Sequence, residues 1–284
     1  MISKQGESFM AYKLICIDMD GTLLDNKGML SQENVEAVHK VYQEGMIVAI
    51  ATGRGAVSAE YHFDFMGVEK GAVVALNGAY VKEKGSCTAI HKCVLPDEEV
   101  KKMYELIAQS NIRTYFSTQD MSISNMMLPD EIIKRGQGQG GTPTKCYPKE
   151  RFNEILQTFA GEILKVSIVN ENNLDMFLKL KKAFEDLGTV DVVRSDVDYV
   201  EMTKLGCSKG SAVKLLAEYL GIDREEVICI GDNENDISMI KYAGLGIAMG
   251  NGCELAKQAA DFVTDTNVNS GVAKAINKIL WNRR

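Results

Sequence analysis

No stretch of the 284-residue chain approaches the ~20 consecutive apolar residues that a membrane-spanning helix needs, so no membrane partner is expected. A Cys-x-x-Cys pair is also missing. The seven cysteines, Cys16, Cys87, Cys93, Cys146, Cys207, Cys229 and Cys253, are scattered and odd in number, which argues against a disulfide framework or a zinc site. Reduced thiols point to a cytoplasmic setting. Cys16 and Cys229 lie inside apolar runs and read as small buried hydrophobes. An excess of positive charge is lacking too. Lys plus Arg number 32 against 39 Asp plus Glu, a net charge of −7, which excludes nucleic acid as an expected partner. The first eleven residues hold Lys4 and Glu7 but no apolar core, so no signal peptide is expected. Met10 stands as an alternative start, with residues 1–10 read as a disordered leader. There is no internal repeat.

Two further signals carry little. His39, His62 and His91 have no partner spacing and read as surface or half-buried residues. Gly136, Gly138 and Gly141 fit G-x-G-x-x-G. That fingerprint requires a strand before it and a helix after it. Here the charged segment 130–135 precedes and Pro143 follows, so a loop is expected rather than a dinucleotide site.

What is present is an alternation of short apolar runs with amphipathic helical stretches, the pattern of an α/β fold with a doubly wound parallel sheet. Strands are expected at 13–17, 46–51 and 72–76, with helices at 31–44 and 56–66 between them. In the first helix Ser31 is the N-cap, Val35, Val38 and Tyr42 form the apolar face, and Gly45 ends it. From about residue 84 the order becomes less regular. Strands are expected at 88–94, 114–117, 122–125 and 164–169, helices at 97–109, 149–159 and 174–187, and a hairpin over 190–203. The first style resumes with a helix at 208–220 and a strand at 227–230. The chain is therefore expected to hold a parallel-sheet core, 11–83 and 207–284, interrupted by an inserted α+β domain, 84–206.

Ligands of such sheets bind beyond the carboxyl ends of the strands. The first strand runs into Asp18-Met19-Asp20-Gly21-Thr22, the second into Thr52-Gly53-Arg54, the third into Asn77-Gly78 and the late strand into Gly231-Asp232-Asn233-Glu234-Asn235-Asp236. Asp18 and Asp20 are two apart, so an extended backbone turns both toward one pocket. Carboxylates this close, with Asp232 added, repel one another unless a cation intervenes. Mg²⁺ suits a site of few carboxylates completed by water and phosphate.

These residues resemble the motifs of the haloacid dehalogenase superfamily of phosphatases. Asp18-Met19-Asp20-Gly21-Thr22 is similar to its first motif, Thr52 to the second, Lys209 in Ser208-Lys209-Gly210 to the third, and Gly231-Asp232-x-x-Asn235-Asp236 to the fourth, in the family's order. The size and place of the insert resemble the C2-type cap of the Cof-like sugar-phosphatase subgroup. The resemblance implies that Asp18 is the nucleophile forming an aspartyl phosphate and that Asp20 is the general acid and base. It implies Mg²⁺ held by Asp18, the Asp20 carbonyl and Asp232, with Asp236 in support. Thr52, Lys209, Asn235 and the backbone at Met19 and Gly53 would hold the phosphoryl oxygens. Arg54 and Asn77 stay open between substrate contacts and structural caps, and Glu201 between a hinge residue facing the site and a surface strand position.

The expected activity is hydrolysis of small phosphorylated metabolites, sugar phosphates first, with nucleotide or cofactor phosphates as further possibilities. A phosphomutase or phosphotransferase would use the same intermediate, and a phospho-ligand sensor would share Asp18, Asp20, Thr52 and Lys209. The large insert and Asn235-Asp236 argue against the sensor. The sequence names neither the physiological substrate nor the oligomeric state.

Overall fold

The structure, a computed structural model, describes residues 12–128, 133 and 140–281. The expected leader, Met10, Gly136 and Gly138 lie outside the described residues.

The first two strands are each followed by a helix that covers one face of the sheet. Strand β1 (Leu14–Ile17) leads to helix α1 (Gln32–Gln43), β2 (Ile47–Ala51) to α2 (Ala56–Phe65), and β3 (Gly71–Ala75) to a tight left-handed turn. Ser31 caps α1, its side chain accepting from the Asn34 N–H. β4 (Tyr80–Glu83) and β5 (Ala89–Lys92) then return antiparallel along the edge. The expected strand 88–94 thus belongs to this first sheet and not to the insert: pairing with β4 outweighs the polar turn at Lys82–Ser86 that suggested a boundary there.

Next come α3 (Asp97–Ala108), β6 (Arg113–Ser117), β7 (Ser122–Ser124), β8 (Thr144–Cys146), α4 (Lys149–Thr158), β9 (Lys165–Val169), α5 (Leu174–Leu187), β10 (Val190–Asp196) and β11 (Tyr199–Lys204). The chain then re-enters the first sheet through α6 (Lys209–Leu220), β12 (Val227–Gly231), α7 (Ile237–Tyr242), β13 (Leu245–Ala248), α8 (Glu254–Ala259), β14 (Phe262–Val263) and α9 (Gly271–Trp281). Two sheets result. The eight-stranded one has the order β14-β13-β12-β1-β2-β3-β4-β5, and the six-stranded one β10-β11-β9-β6-β7-β8.

Alternation along the strands explains the layers. In β1, Ile15 and Ile17 pack with Val38 of α1 and Ile276 of α9, whereas Leu14 and Cys16 pack with Val213 and Leu216 of α6. Both faces of the eight-stranded sheet are therefore covered, as parallel sheets require. Among the described residues the second sheet packs one face against an apolar helix layer. There Phe116, Val166, Ile168, Val200 and Met202 meet Met103, Phe152, Phe177 and Phe184 from the helices. A buried phenylalanine of this kind contributes about 3–5 kcal/mol when truncated to alanine.

The central parallel strands β12, β1, β2 and β3 are neighbours, so the polar groups that follow them sit side by side at one sheet edge. Among the described residues no helix is long and apolar enough to cross a membrane.

Candidate active site

Asp18 follows β1, Asp232 follows β12 and Asp236 lies one short turn beyond it. Ligand atoms of these three carboxylates lie within 4.8 Å of one another. Lys209, at the start of α6, is fully buried and places Nζ 2.6 Å from Asp18 Oδ1 and 2.6 Å from Asp236 Oδ1. Its helix starts there because Ser208 caps it reciprocally with Ser211. The other oxygen of Asp236 accepts the N–H groups of Asp232 and Asn233, which ties the loop after β12 to the lysine. Thr22 Oγ1 donates to Asp232 Oδ1 at 2.9 Å.

One ammonium thus faces three buried carboxylates. Burial pushes the Asp18 carboxyl well above the usual carboxylate range, Asp236 and Asp232 push it further, and Lys209 pulls it back. Burial and then Asp236 raise the Asp232 carboxyl to about 7. Burial alone would lower Lys209, yet Asp18 and Asp236 hold it above the ordinary lysine range. Asp18 Oδ2 is buried and accepts no hydrogen bond from a described donor. An unpartnered carboxylate oxygen within an excess of negative charge fits a divalent cation. At Gly21, whose φ is +80°, a Cβ would lie 2.4 Å from Asp232 Oδ2, so only glycine lets the first loop pass this close.

Thr52 is buried after β2, and its hydroxyl accepts from the Arg54 N–H at 3.1 Å. Asn77 sits in a left-handed run, with φ of 52° at Leu76, 56° at Asn77 and 96° at Gly78. This turn is pinned by Asn77 N–H to Thr52 O and Leu76 N–H to Arg54 O. Asn235 Nδ2 donates to Asn77 Oδ1 at 3.1 Å, and Asn77 Nδ2 donates to Glu201 Oε2 at 2.7 Å. Asn77 therefore joins the two sheets through its side chain. Glu201 is not a surface strand residue: it is buried and paired with Lys165 of β9. Lys165 Nζ also donates to the Gly53 carbonyl at 2.6 Å. Burial would raise the Glu201 carboxyl, but Lys165, Asn77 and Ser195 together hold it below the usual range. Met19 is fully buried in the core beneath the loop, leaving only its backbone beside the site.

Asp20 and Asp18 both line a cavity of about 460 Å³ between the two sheets. Asp20 is half exposed there and is held by Arg54, Nε to Oδ2 at 2.8 Å and Nη2 to Oδ1 at 2.5 Å. The far wall is the other face of the second sheet, where register places Thr144, Ser122, Ser117 and Lys165 in one row and Tyr115, Ser167 and Glu201 in the next.

A family model described as haloacid dehalogenase-like hydrolase matches residues 15–276. The chain belongs to that family. The 5-amino-6-(5-phospho-D-ribitylamino)uracil phosphatase YcsE of Bacillus subtilis is 31% identical over 264 residues, 93% of this chain and 94% of the relative. A solved haloacid dehalogenase-like hydrolase from Bacteroides thetaiotaomicron is 29% identical with a TM-score of 0.80, covering 94% of this chain and 99% of the other. The subclass IIB sugar phosphatase BT4131, 24% identical, shares the fold with a TM-score of 0.76 over 94% of this chain and 98% of its own. The chain is a phosphatase of the Cof-like branch of this superfamily, and its second sheet is the cap.

The structure brings Asp18, Asp20, Gly53, Arg54 and Asn235 to the cavity wall, with Lys209, Asp232 and Asp236 grouped around Asp18 and Asn77 against Asn235. Sequence reading missed Lys165, Ser167, Tyr115 and Tyr199, which line the cavity. Only the polar alternation of β6 and β9, Arg113-Tyr115-Ser117 and Lys165-Ser167, could have pointed to a wet sheet face. The histidines need one correction. His62 is buried in α2 with Nδ1 2.7 Å from the Ser58 carbonyl, because a helix turn supplies that partner locally.

Proposed function

We propose that this phosphatase hydrolyses small phosphorylated metabolites with Mg²⁺ through a phosphoryl group carried on Asp18. The observation that supports this most is the buried bridge Asp18–Lys209–Asp236, beside an Asp18 oxygen that no described donor engages. Asp18, the Asp20 carbonyl and Asp232 would hold the ion, with Asp236 behind them. It would offset the negative charge of the phosphate and the carboxylates.

Lys209, Thr52, Asn235 and the backbone N–H groups of the first two loops bind and orient the phosphoryl oxygens. A carboxylate oxygen of Asp18 attacks phosphorus, and the ester bond to the leaving oxygen breaks as the acyl phosphate forms. Asp20 gives its proton to that oxygen, then removes one from the water that attacks the acyl phosphate. In the free enzyme Arg54 grips Asp20, so the substrate must compete for the guanidinium before Asp20 can act. Arg54 is thereby read as a substrate contact and Asn77 as a positioning residue.

The cap wall suits a polyhydroxylated leaving group. Its serine and threonine hydroxyls can exchange hydrogen bonds with a sugar or polyol, and Tyr115 and Tyr199 offer flat surface. A relative whose named substrate carries a phosphoribityl chain agrees with this reading. The seven free thiols support a cytoplasmic setting. The decisive experiment quenches the enzyme in acid during turnover of p-nitrophenyl phosphate. A phosphoryl adduct on the Asp18 peptide is expected, and hydrolysis with no adduct under any quench time overturns the assignment. Adding a free sugar as acceptor separates hydrolysis from phosphotransfer.

A further inference from the structure

The chain crosses between the sheets twice, from β5 to α3 and from β11 to α6, and each crossing carries a cysteine. Cys93 follows β5 and donates its N–H to Ala79 O at 2.8 Å. Cys207 closes the turn after β11, with its N–H on Lys204 O at 2.9 Å and its carbonyl accepting from Thr203 Oγ1 at 2.9 Å. Neighbouring residues hold the crossings side by side. Gly78, next to Ala79, presses on Ser208, next to Cys207, so closely that a Cβ there would lie 2.3 Å from the Ser208 carbonyl oxygen. The buried Cys207 and the half-buried Cys93 pack in the same apolar cluster, with their side chains as interacting neighbours. His91, near the end of β5, and Lys204 add positive charge beside Cys93.

We propose that Cys93 and Cys207 form an oxidative modification site, which a peroxide converts to a disulfide that staples the two crossings between core and cap. The division of labour follows from the surroundings. The adjacent Cys207, and then His91, hold the Cys93 thiol down at about 6 against the upward push of burial. Cys93 is thus the accessible thiolate, and Cys207, whose thiol Cys93 and burial push up, is the resolving thiol. The Cys93 sulfur attacks one oxygen of hydrogen peroxide, the O–O bond breaks, and a sulfenic acid and hydroxide form. The Cys207 sulfur then displaces the sulfenic hydroxyl, which leaves as water with the Cys207 proton. Two thiols lose two hydrogens and two electrons, and the peroxide is reduced to two waters.

An internal comparison is built into the molecule. Cys16 and Cys229 are also register neighbours, on β1 and β12, but both are wholly buried in the sheet, where no oxidant reaches. Neither Cys93 nor Cys207 takes part in the proposed phosphoryl chemistry, so the thiol test reads independently of it.

The full-length protein is treated with hydrogen peroxide and digested without reduction. The expected result is a linked pair of peptides carrying Cys93 and Cys207, two hydrogens lighter than the free peptides, with Cys16 and Cys229 still alkylatable. Cys93→Ser and Cys207→Ala should each abolish the link. A Cys93 that passes to sulfinic acid while Cys207 stays free overturns the proposal, as does a Cys93 no more reactive than Cys229. Turnover of the linked protein should fall and return with dithiothreitol. Unchanged turnover in fully linked protein overturns the restraint on the cap.

Discussion

The eight-stranded sheet is apolar on both faces and keeps its charge at the ends of four strands, whereas the six-stranded sheet leaves one whole face polar. In the first, a few side chains converge on one point and are rigidly held from behind. In the second, hydroxyls and phenols are spread along the cavity wall. The contrast teaches a division of tasks. Bond breaking needs charge concentrated in a dry place, and recognition of a leaving group needs many weak contacts over an area.

The comparison breaks first at Asp18. Asp18→Asn should lower kcat at least ~10³-fold with thermal melting unchanged or improved, since a buried carboxyl is removed. Normal turnover would move the nucleophile elsewhere. Lys209→Met strips the ammonium from two buried carboxylates and should destabilise by about 3–5 kcal/mol at pH 8, with recovery in acid as the carboxylates gain protons. Urea unfolding at both pH values reads this. On the cap side, Lys165→Met leaves Glu201 buried and uncompensated, an expected cost of about 3 kcal/mol that Lys165→Met/Glu201→Gln largely restores. The double variant should still form the Asp18 adduct, because the ion pair belongs to the recognition surface and its docking on Gly53.

The smallest effect concerns Mg²⁺ and pH. Asp232 is raised to about 7 and Asp18 is raised as well, so the metal-free folded protein keeps protons that the unfolded chain releases from about pH 4 upward. Its stability contribution from these groups therefore falls as pH rises toward 7. Mg²⁺ needs the ionised forms and should reverse the trend. It should stabilise by about 2.7 kcal/mol at pH 8 when it exceeds its dissociation constant about a hundredfold, and by much less at pH 5. Equal stabilisation at both pH values would place the ion away from Asp232. Melting curves with and without chelator provide the check.

How much of this was legible depends on the kind of residue. Asp18, Thr52, Lys209 and Asp232 were readable because each follows or starts a strongly patterned element, and topology does the rest. The insert was readable as a change of style, yet its near boundary was misplaced. β5 is short and partly exposed, so only pairing with β4 reveals which sheet it joins. The Lys165–Glu201 pair was hidden because a charged residue inside a strand usually faces water. Nothing local announces that the partner strand brings the opposite charge. The grip of Arg54 on Asp20 depends on side-chain rotation across two loops, which periodicity does not encode.

One feature of the return path has a mechanical meaning. The last cap strand ends at Lys204, Gly206 turns the chain, Ser208 caps α6, and Lys209 is the first residue of that helix. Fewer than two helical turns' worth of backbone separates the cap strand from the ammonium that grips Asp18. A tilt of the cap would therefore act as torque on the α6 terminus, coupling the seating of a leaving group to the aim of the charge.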